Sequence, residues 1–114
     1  MFGAFHKVDN VCAIVDYNKI QLDGFVKDIM ELEPLADEWR SFGWHVIEID
    51  GHDLTACGGA FDEAAATKGI PSVILAHTIK GKGVSFMENQ LAWHYKSPDA
   101  EQLARALREI GAPE

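Results

Sequence analysis

The sequence predicts an α/β protein built on part of a doubly wound parallel sheet. Three runs, residues 11–16, 44–50 and 72–78, are predicted to be strands. The first is continuously apolar over residues 11–15 rather than alternating, so we expect a strand that is covered on both faces in a parallel sheet. Segments with a helical spacing of apolar residues separate these runs, so the order is strand, helix, strand, helix, strand. Three strands make a thin sheet whose edges need covering, which indicates an incomplete domain.

The first strand ends in the polar stretch VDYNKIQLDG, residues 15–24. Ligands of open α/β sheets bind at the carboxyl ends of the strands, so this loop is a candidate binding site. Asn18 offers an amide oxygen, Asp16 and Asp23 offer carboxylates, and Gly24 allows a tight backbone turn. From the residues alone, the loop either binds a ligand or forms an Asx-type turn at the strand end.

Two helices lie between the three strands. Pro34 is suited to open the first helix and Gly43 to close it. Asp53 is a good cap for the second helix, whose apolar residues recur at helical spacing. Gly58 and Gly59 fall in the middle of that helix and each costs about 1 kcal/mol relative to Ala, so we expect a kink or a close packing contact there.

A last helix follows the third strand. It is predicted to begin at Ser97-Pro98 and to end at Gly111. Its apolar residues form one stripe, which consists of Ala100, Leu103, Ala104, Leu107 and Ile110.

Length and charge narrow the class of protein. A chain of 114 residues fits one small domain. The formal net charge of −8 argues against binding to nucleic acid or to an anionic membrane, because both need clustered Lys and Arg. No stretch approaches the roughly 20 apolar residues of a membrane span, and the start shows no signal-peptide pattern, so we expect a cytoplasmic protein. Cys12 and Cys57 lack CxxC spacing and are expected to be buried free thiols.

Common nucleotide and metal motifs are missing from the sequence. There is no GxGxxG after a strand and no GxxxxGK[ST], and the five histidines show neither HxxxH nor HExxH spacing. The stretch IKGKGVSF, residues 79–86, has the glycines and lysines of a phosphate-binding loop but no Ser or Thr directly after Gly-Lys. On spacing alone it is also compatible with a solvated flexible loop.

Three stretches together resemble one family. NVCAIVDYNKIQLDG, LADEWRSFGWHVIEIDGHD and HTIKGKGVSFMENQLAWH, in this order and with matching gaps, are similar to transketolase, specifically to the later part of its amino-terminal thiamine-diphosphate-binding domain in split bacterial enzymes. The resemblance covers nearly the whole chain. It implies that residues 1–114 form a single, incomplete domain with the thiamine-diphosphate-binding (PP module) fold, lacking its first strands.

The resemblance also implies site residues. Asn18 would bind Mg²⁺ through its side-chain oxygen and Ile20 through its backbone carbonyl, with Ca²⁺ or Mn²⁺ as possible substitutes. Lys80 aligns with a lysine that contacts the cofactor thiamine diphosphate in animal-type enzymes. His94 aligns with a catalytic histidine that contacts the sugar near the reacting carbon, although a packed surface histidine beside Trp93 is the other interpretation.

The implied function is transfer of a two-carbon ketol unit from a ketose phosphate to an aldose phosphate. We expect the chain to be inactive alone, because the Gly-Asp-Gly strand and the pyrimidine-binding domain would have to come from the remaining transketolase chain or chains. The alternative is a non-catalytic remnant or assembly module of the same fold. Another thiamine diphosphate enzyme, such as a deoxyxylulose phosphate synthase, is a more distant alternative.

Overall fold

The computed structural model describes residues 1–112, which form two compact units. The first unit combines Met1–Tyr17 with Glu31–Thr78, and the second combines Asn18–Met30 with the chain from Ile79 onward. In chain order the elements are α1 (Phe2–Phe5), β1 (Cys12–Tyr17), β2 (Ile20–Gln21), β3 (Gly24–Phe25), α2 (Val26–Ile29), α3 (Leu35–Ser41), β4 (His45–Asp50), α4 (Leu54–Ala66), β5 (Ser72–His77), a 3₁₀ helix (Leu91–His94) and α5 (Ala100–Glu109).

The first unit contains a parallel sheet with the strand order β1-β5-β4. The central strand, β5, is buried along nearly its whole length. Its Val73 and Leu75 pack with Leu35 of α3 on one face, whereas Ile74 packs with Ala60 of α4 on the other. The structure therefore confirms the predicted α/β class, with parallel strands and helices on both faces of the sheet.

The edge strand β1 differs from its predicted environment. We expected its continuous apolar run to be covered on both faces, but its burial alternates, and Ile14 is 58% exposed. Ile14 lies in register with Ile74 and Ile47, which α4 covers, so among residues 1–112 the helix shields β4 and β5 but leaves this face of β1 open. For the same reason Cys12 is a free but exposed thiol, and the expectation that it is buried was wrong.

Local sequence signals placed the ends of the helices well. The Asp53 carboxylate accepts hydrogen bonds from the Thr55 and Ala56 amides at the start of α4. Gly43 follows α3 with a φ of +81°, as its position after the helix requires. The close packing contact expected at Gly58 is absent: α4 is continuous there, and apart from the adjacent backbone of the helix a Cβ on this residue would meet no atom of residues 1–112 within 4 Å.

The second unit contains the β2–β3 hairpin, a turn-rich loop, the 3₁₀ helix and α5. Helix α5 begins after Asp99, whose carboxylate forms a capping box with Gln102, rather than at the predicted Ser97. Most of its predicted apolar stripe is exposed, with Leu103 at 48% and Ile110 at 55%. None of the helices within residues 1–112 is both long and apolar enough to cross a membrane.

Candidate functional site

A tight turn directly after β1 holds the Asn18 side chain in place. Lys19 adopts a φ of +64°, which reverses the chain, and the Ile20 amide donates a hydrogen bond of 2.9 Å to Asn18 Oδ1. The Val26 amide donates to the Lys19 carbonyl at 2.9 Å and closes the hairpin. The Asx-type turn considered from the sequence is therefore present.

The same hairpin fixes the direction of the Ile20 carbonyl. Ile20 pairs with Phe25, and the bond from Val26 to Lys19 shows that this pair is of the non-hydrogen-bonded type. In such a pair the amide and carbonyl groups point away from the neighbouring strand. The Ile20 carbonyl is therefore directed to the side on which its own amide meets Asn18 Oδ1.

The two oxygens fit Mg²⁺ in kind. Mg²⁺ prefers hard oxygen ligands in an octahedron, usually a few protein oxygens completed by phosphate and water. The amide oxygen of Asn18 has a second acceptor position beside the one used by Ile20. No cluster of three or more His, Cys, Asp or Glu side chains suited to a metal exists within residues 1–112, so a metal held by these two neutral oxygens would take its anionic ligands from elsewhere.

The loop that carries Lys80 is closed by its own backbone. The Asn89 amide donates to the Lys80 carbonyl at 2.9 Å, which joins the two ends of the loop. Gly81 has a φ of +74°, and a Cβ at this position would lie 2.7 Å from the Met87 carbonyl oxygen. Only glycine meets both conditions, so Gly81 is required for the loop as it stands.

The two lysines of this loop have different surroundings. Lys82 lies 3.8 Å from the Glu88 carboxylate, which also accepts a hydrogen bond from the Gly83 amide. The partly exposed Lys80 forms no ion pair with any residue of the described chain, so its ammonium is available to an external anion.

His94 ends the 3₁₀ helix and is exposed. Its neighbour Trp93 is anchored instead: its Nε1–H donates to the Phe86 carbonyl at 2.9 Å, and the Phe86 and Trp93 rings lie 5.4 Å apart. The ring that contacts the His94 imidazole is Tyr95, at 4.6 Å between centroids. His94 is thus a surface histidine within this chain, with its imidazole nitrogens open to a ligand.

The structure places all four residues implied by the resemblance, Asn18, Ile20, Lys80 and His94, in the second unit. It joins Asn18 to Ile20 directly, but no hydrogen bond or ion pair within residues 1–112 links the side chains of Asn18, Lys80 and His94 to one another.

The sequence reasoning gave no role to Glu88, which ties the Lys80 loop together, or to the contact of Tyr95 with His94. No spacing rule marks Glu88, whereas the adjacency of two rings in the chain could have indicated the second contact.

The chain is an α/β protein in which a parallel sheet is followed by a hairpin carrying the Asn18 and Ile20 oxygens and by a glycine-dependent loop carrying Lys80. A family model described as the thiamine diphosphate binding domain of transketolase matches residues 2–113, and the chain belongs to this family. The resemblance found in the sequence is therefore confirmed.

Similar proteins include components of transketolases that act on different sugars. The 6-deoxy-6-sulfo-D-fructose transketolase subunit SqwG of Clostridium sp. (strain MSTE9) is 46% identical over 96% of this chain and 40% of its own length. One of the subunits of the apulose-4-phosphate transketolase of Phocaeicola vulgatus is 40% identical over 96% of this chain and 39% of its own length. The chain thus spans about two fifths of these relatives.

Solved structures agree with this assignment. The crystal structure of transketolase from Campylobacter jejuni superimposes with a TM-score of 0.90 and 27% identity, over 97% of this chain and 17% of that one. The PP module fold stated from the sequence therefore matches the amino-terminal domain of known transketolases.

Proposed function

We propose that this chain supplies part of the thiamine-diphosphate site of a transketolase that moves a two-carbon ketol unit from a ketose phosphate to an aldose phosphate. The observation that carries this proposal is the hairpin in which the Asn18 amide oxygen and the Ile20 carbonyl are directed to one side. Both are the hard oxygen donors that Mg²⁺ prefers. The cytoplasmic location expected from the sequence belongs to the same proposal.

The residues have separate roles in this proposal. Asn18 and Ile20 hold Mg²⁺, which attaches the cofactor diphosphate to the protein, and Lys80 adds a positive charge for the diphosphate. His94 contacts the sugar and transfers a proton at its hydroxyl groups, the general acid–base role that histidine side chains often have. Thiamine diphosphate, when bound, supplies the reactive carbon that carries the two-carbon unit.

The rest of the site comes, in our proposal, from the remaining transketolase polypeptide. Two neutral oxygens alone bind Mg²⁺ poorly, so the aspartate of the Gly-Asp-Gly strand has to complete the ligand set. The uncovered face of β1, with Ile14 58% exposed, supports the addition of further polypeptide at this strand. We therefore propose that residues 1–114 alone have no transketolase activity.

A second candidate is an assembly module that keeps the fold without catalysis, and the uncovered face of β1 favours it equally. The two candidates differ at Asn18 and His94. A module that only assembles requires neither side chain.

The test uses Asn18→Ala in the enzyme reconstituted with the remaining polypeptide. Loss of a ligand in a preorganised site is expected to raise the Mg²⁺-dependent Kd for thiamine diphosphate about tenfold or more, and Asn18→Asp, which keeps an oxygen for turn and metal, should retain most of the affinity. Gln21→Ala is the matched control, because it removes a hydrogen bond from the Gln21 side chain to the Met30 carbonyl in the same hairpin but no proposed ligand. An unchanged Kd for Asn18→Ala would refute the metal assignment.

A further inference from the structure

We propose that Tyr95 is a positioning residue that holds the His94 imidazole in the orientation needed to contact the sugar, an inference that rests on the function proposed above. The two rings lie 4.6 Å apart between centroids, with their planes at 84°. This is the edge-to-face arrangement that aromatic pairs favour.

The exposure of Tyr95 is not explained by packing. Its side chain is 77% exposed, and its hydroxyl forms no hydrogen bond with any of residues 1–112. A tyrosine that stabilises a fold usually has a buried ring or a hydrogen-bonded hydroxyl group, and within residues 1–112 Tyr95 has neither. The interaction that this structure shows for the Tyr95 side chain is its ring contact with His94.

The backbone near His94 is fixed from the other side. Trp93 is held by its hydrogen bond to the Phe86 carbonyl and by the Phe86 ring, and the Lys96 ammonium lies 4.7 Å from the centroid of the Trp93 ring. These contacts anchor Trp93, the residue before His94, and none of them involves the His94 imidazole.

An acid–base group must be held within about 0.5 Å and 10–20° of its productive position, so an exposed histidine needs a further contact. Tyr95 provides it.

The experiment compares Tyr95→Ala with Tyr95→Phe in the reconstituted enzyme. Loss of the ring contact is expected to lower kcat about three- to tenfold, while KM and the Kd for thiamine diphosphate stay within about twofold. Tyr95→Phe keeps the ring and should restore kcat to near the parent value. Parent-like kinetics for Tyr95→Ala, or an equal loss for Tyr95→Phe, would overturn the proposal.

Two further variants separate this inference from the proposed function. In the double variant His94→Ala/Tyr95→Ala, the second substitution should cause no additional loss, because Tyr95 acts only through His94. Independent, multiplicative losses would contradict the positioning role. If His94→Ala itself keeps turnover within a few-fold of the parent, the proposed role of His94 fails. If His94→Ala turns over slowly but Tyr95→Ala has parent-like kinetics, only the proposed role of Tyr95 fails.

Discussion

Gly81→Ala should damage the loop that carries Lys80, and the structure gives the size of the effect. Alanine at a φ of +74° costs about 1–2 kcal/mol. Its Cβ would also lie 2.7 Å from the Met87 carbonyl oxygen, a backbone atom that cannot rotate away, and such overpacking costs about 1–3 kcal/mol. The sum, about 2–5 kcal/mol, is a large part of the 5–15 kcal/mol by which a domain is typically stable.

Gly58→Ala is the matched control. It is also a glycine-to-alanine substitution, but its expected effect on stability has the opposite sign. Gly58 lies inside α4, and apart from the adjacent backbone of the helix a Cβ there meets no atom of residues 1–112 within 4 Å. The substitution should therefore stabilise the helix by about 0.5–1 kcal/mol.

Denaturant unfolding of the assembled enzyme and titration with thiamine diphosphate measure both variants. We expect Gly81→Ala to lower the unfolding midpoint and to weaken cofactor binding, and Gly58→Ala to raise the midpoint with binding unchanged. Equal stabilities for Gly81→Ala and the parent would show that the loop adapts to a side chain, and the reasoning from φ and contact distance would be wrong.

Three other predictions concern catalysis, assembly and pH. His94→Ala should lower kcat about 10²- to 10⁴-fold without changing cofactor affinity, which steady-state kinetics and a cofactor titration check. Ile14→Lys, on the uncovered face of β1, should weaken association with the remaining polypeptide tenfold or more by analytical ultracentrifugation, and undiminished association would exclude this face. The Ser85 amide, and then Arg105, hold the pKa of Glu109 below its ordinary 4.5, so this contact stabilises the fold above about pH 4.5 and is lost as pH falls through the lowered pKa. The protection of the Ser85 amide, which is its exchange rate relative to the intrinsic rate at each pH, should fall there, and Glu109→Gln should remove that pH dependence.

Local chemistry made much of the fold predictable. Runs rich in apolar residues predicted the three strands of the sheet, and the cap at Asp53 predicted the start of α4, because both signals depend on neighbouring residues. The environment of β1 was not predictable in this way. An apolar run predicts that a strand is covered, but it does not say whether residues of the same chain supply the cover, and residues 1–112 leave Ile14 exposed.

The candidate residues of the site could be named from sequence motifs, but the tertiary contacts around them could not. Asn18 and Lys80 were identified through stretches that resemble the family. Glu88 binds the Lys80 loop together through a backbone amide and a lysine, a contact that exists only once the loop has closed. The sequence could name the ligand candidates but not the contacts that shape the loop around them.

Asn18 shows why a structural turn and a metal site need not be alternatives. A carboxamide oxygen accepts two hydrogen bonds or ligands, and the Ile20 amide uses one of them. That bond orders the side chain without a cation, so in the proposed site Mg²⁺ would not have to fix its torsions and would lose less conformational entropy on binding. The left-handed conformation of Lys19 and the pairing of Ile20 with Phe25 set the direction of the Ile20 carbonyl in the same hairpin. In the proposed site the turn would thus be the means by which a short polar loop presents two neutral oxygens to Mg²⁺, and the anionic ligands would come from the remaining polypeptide.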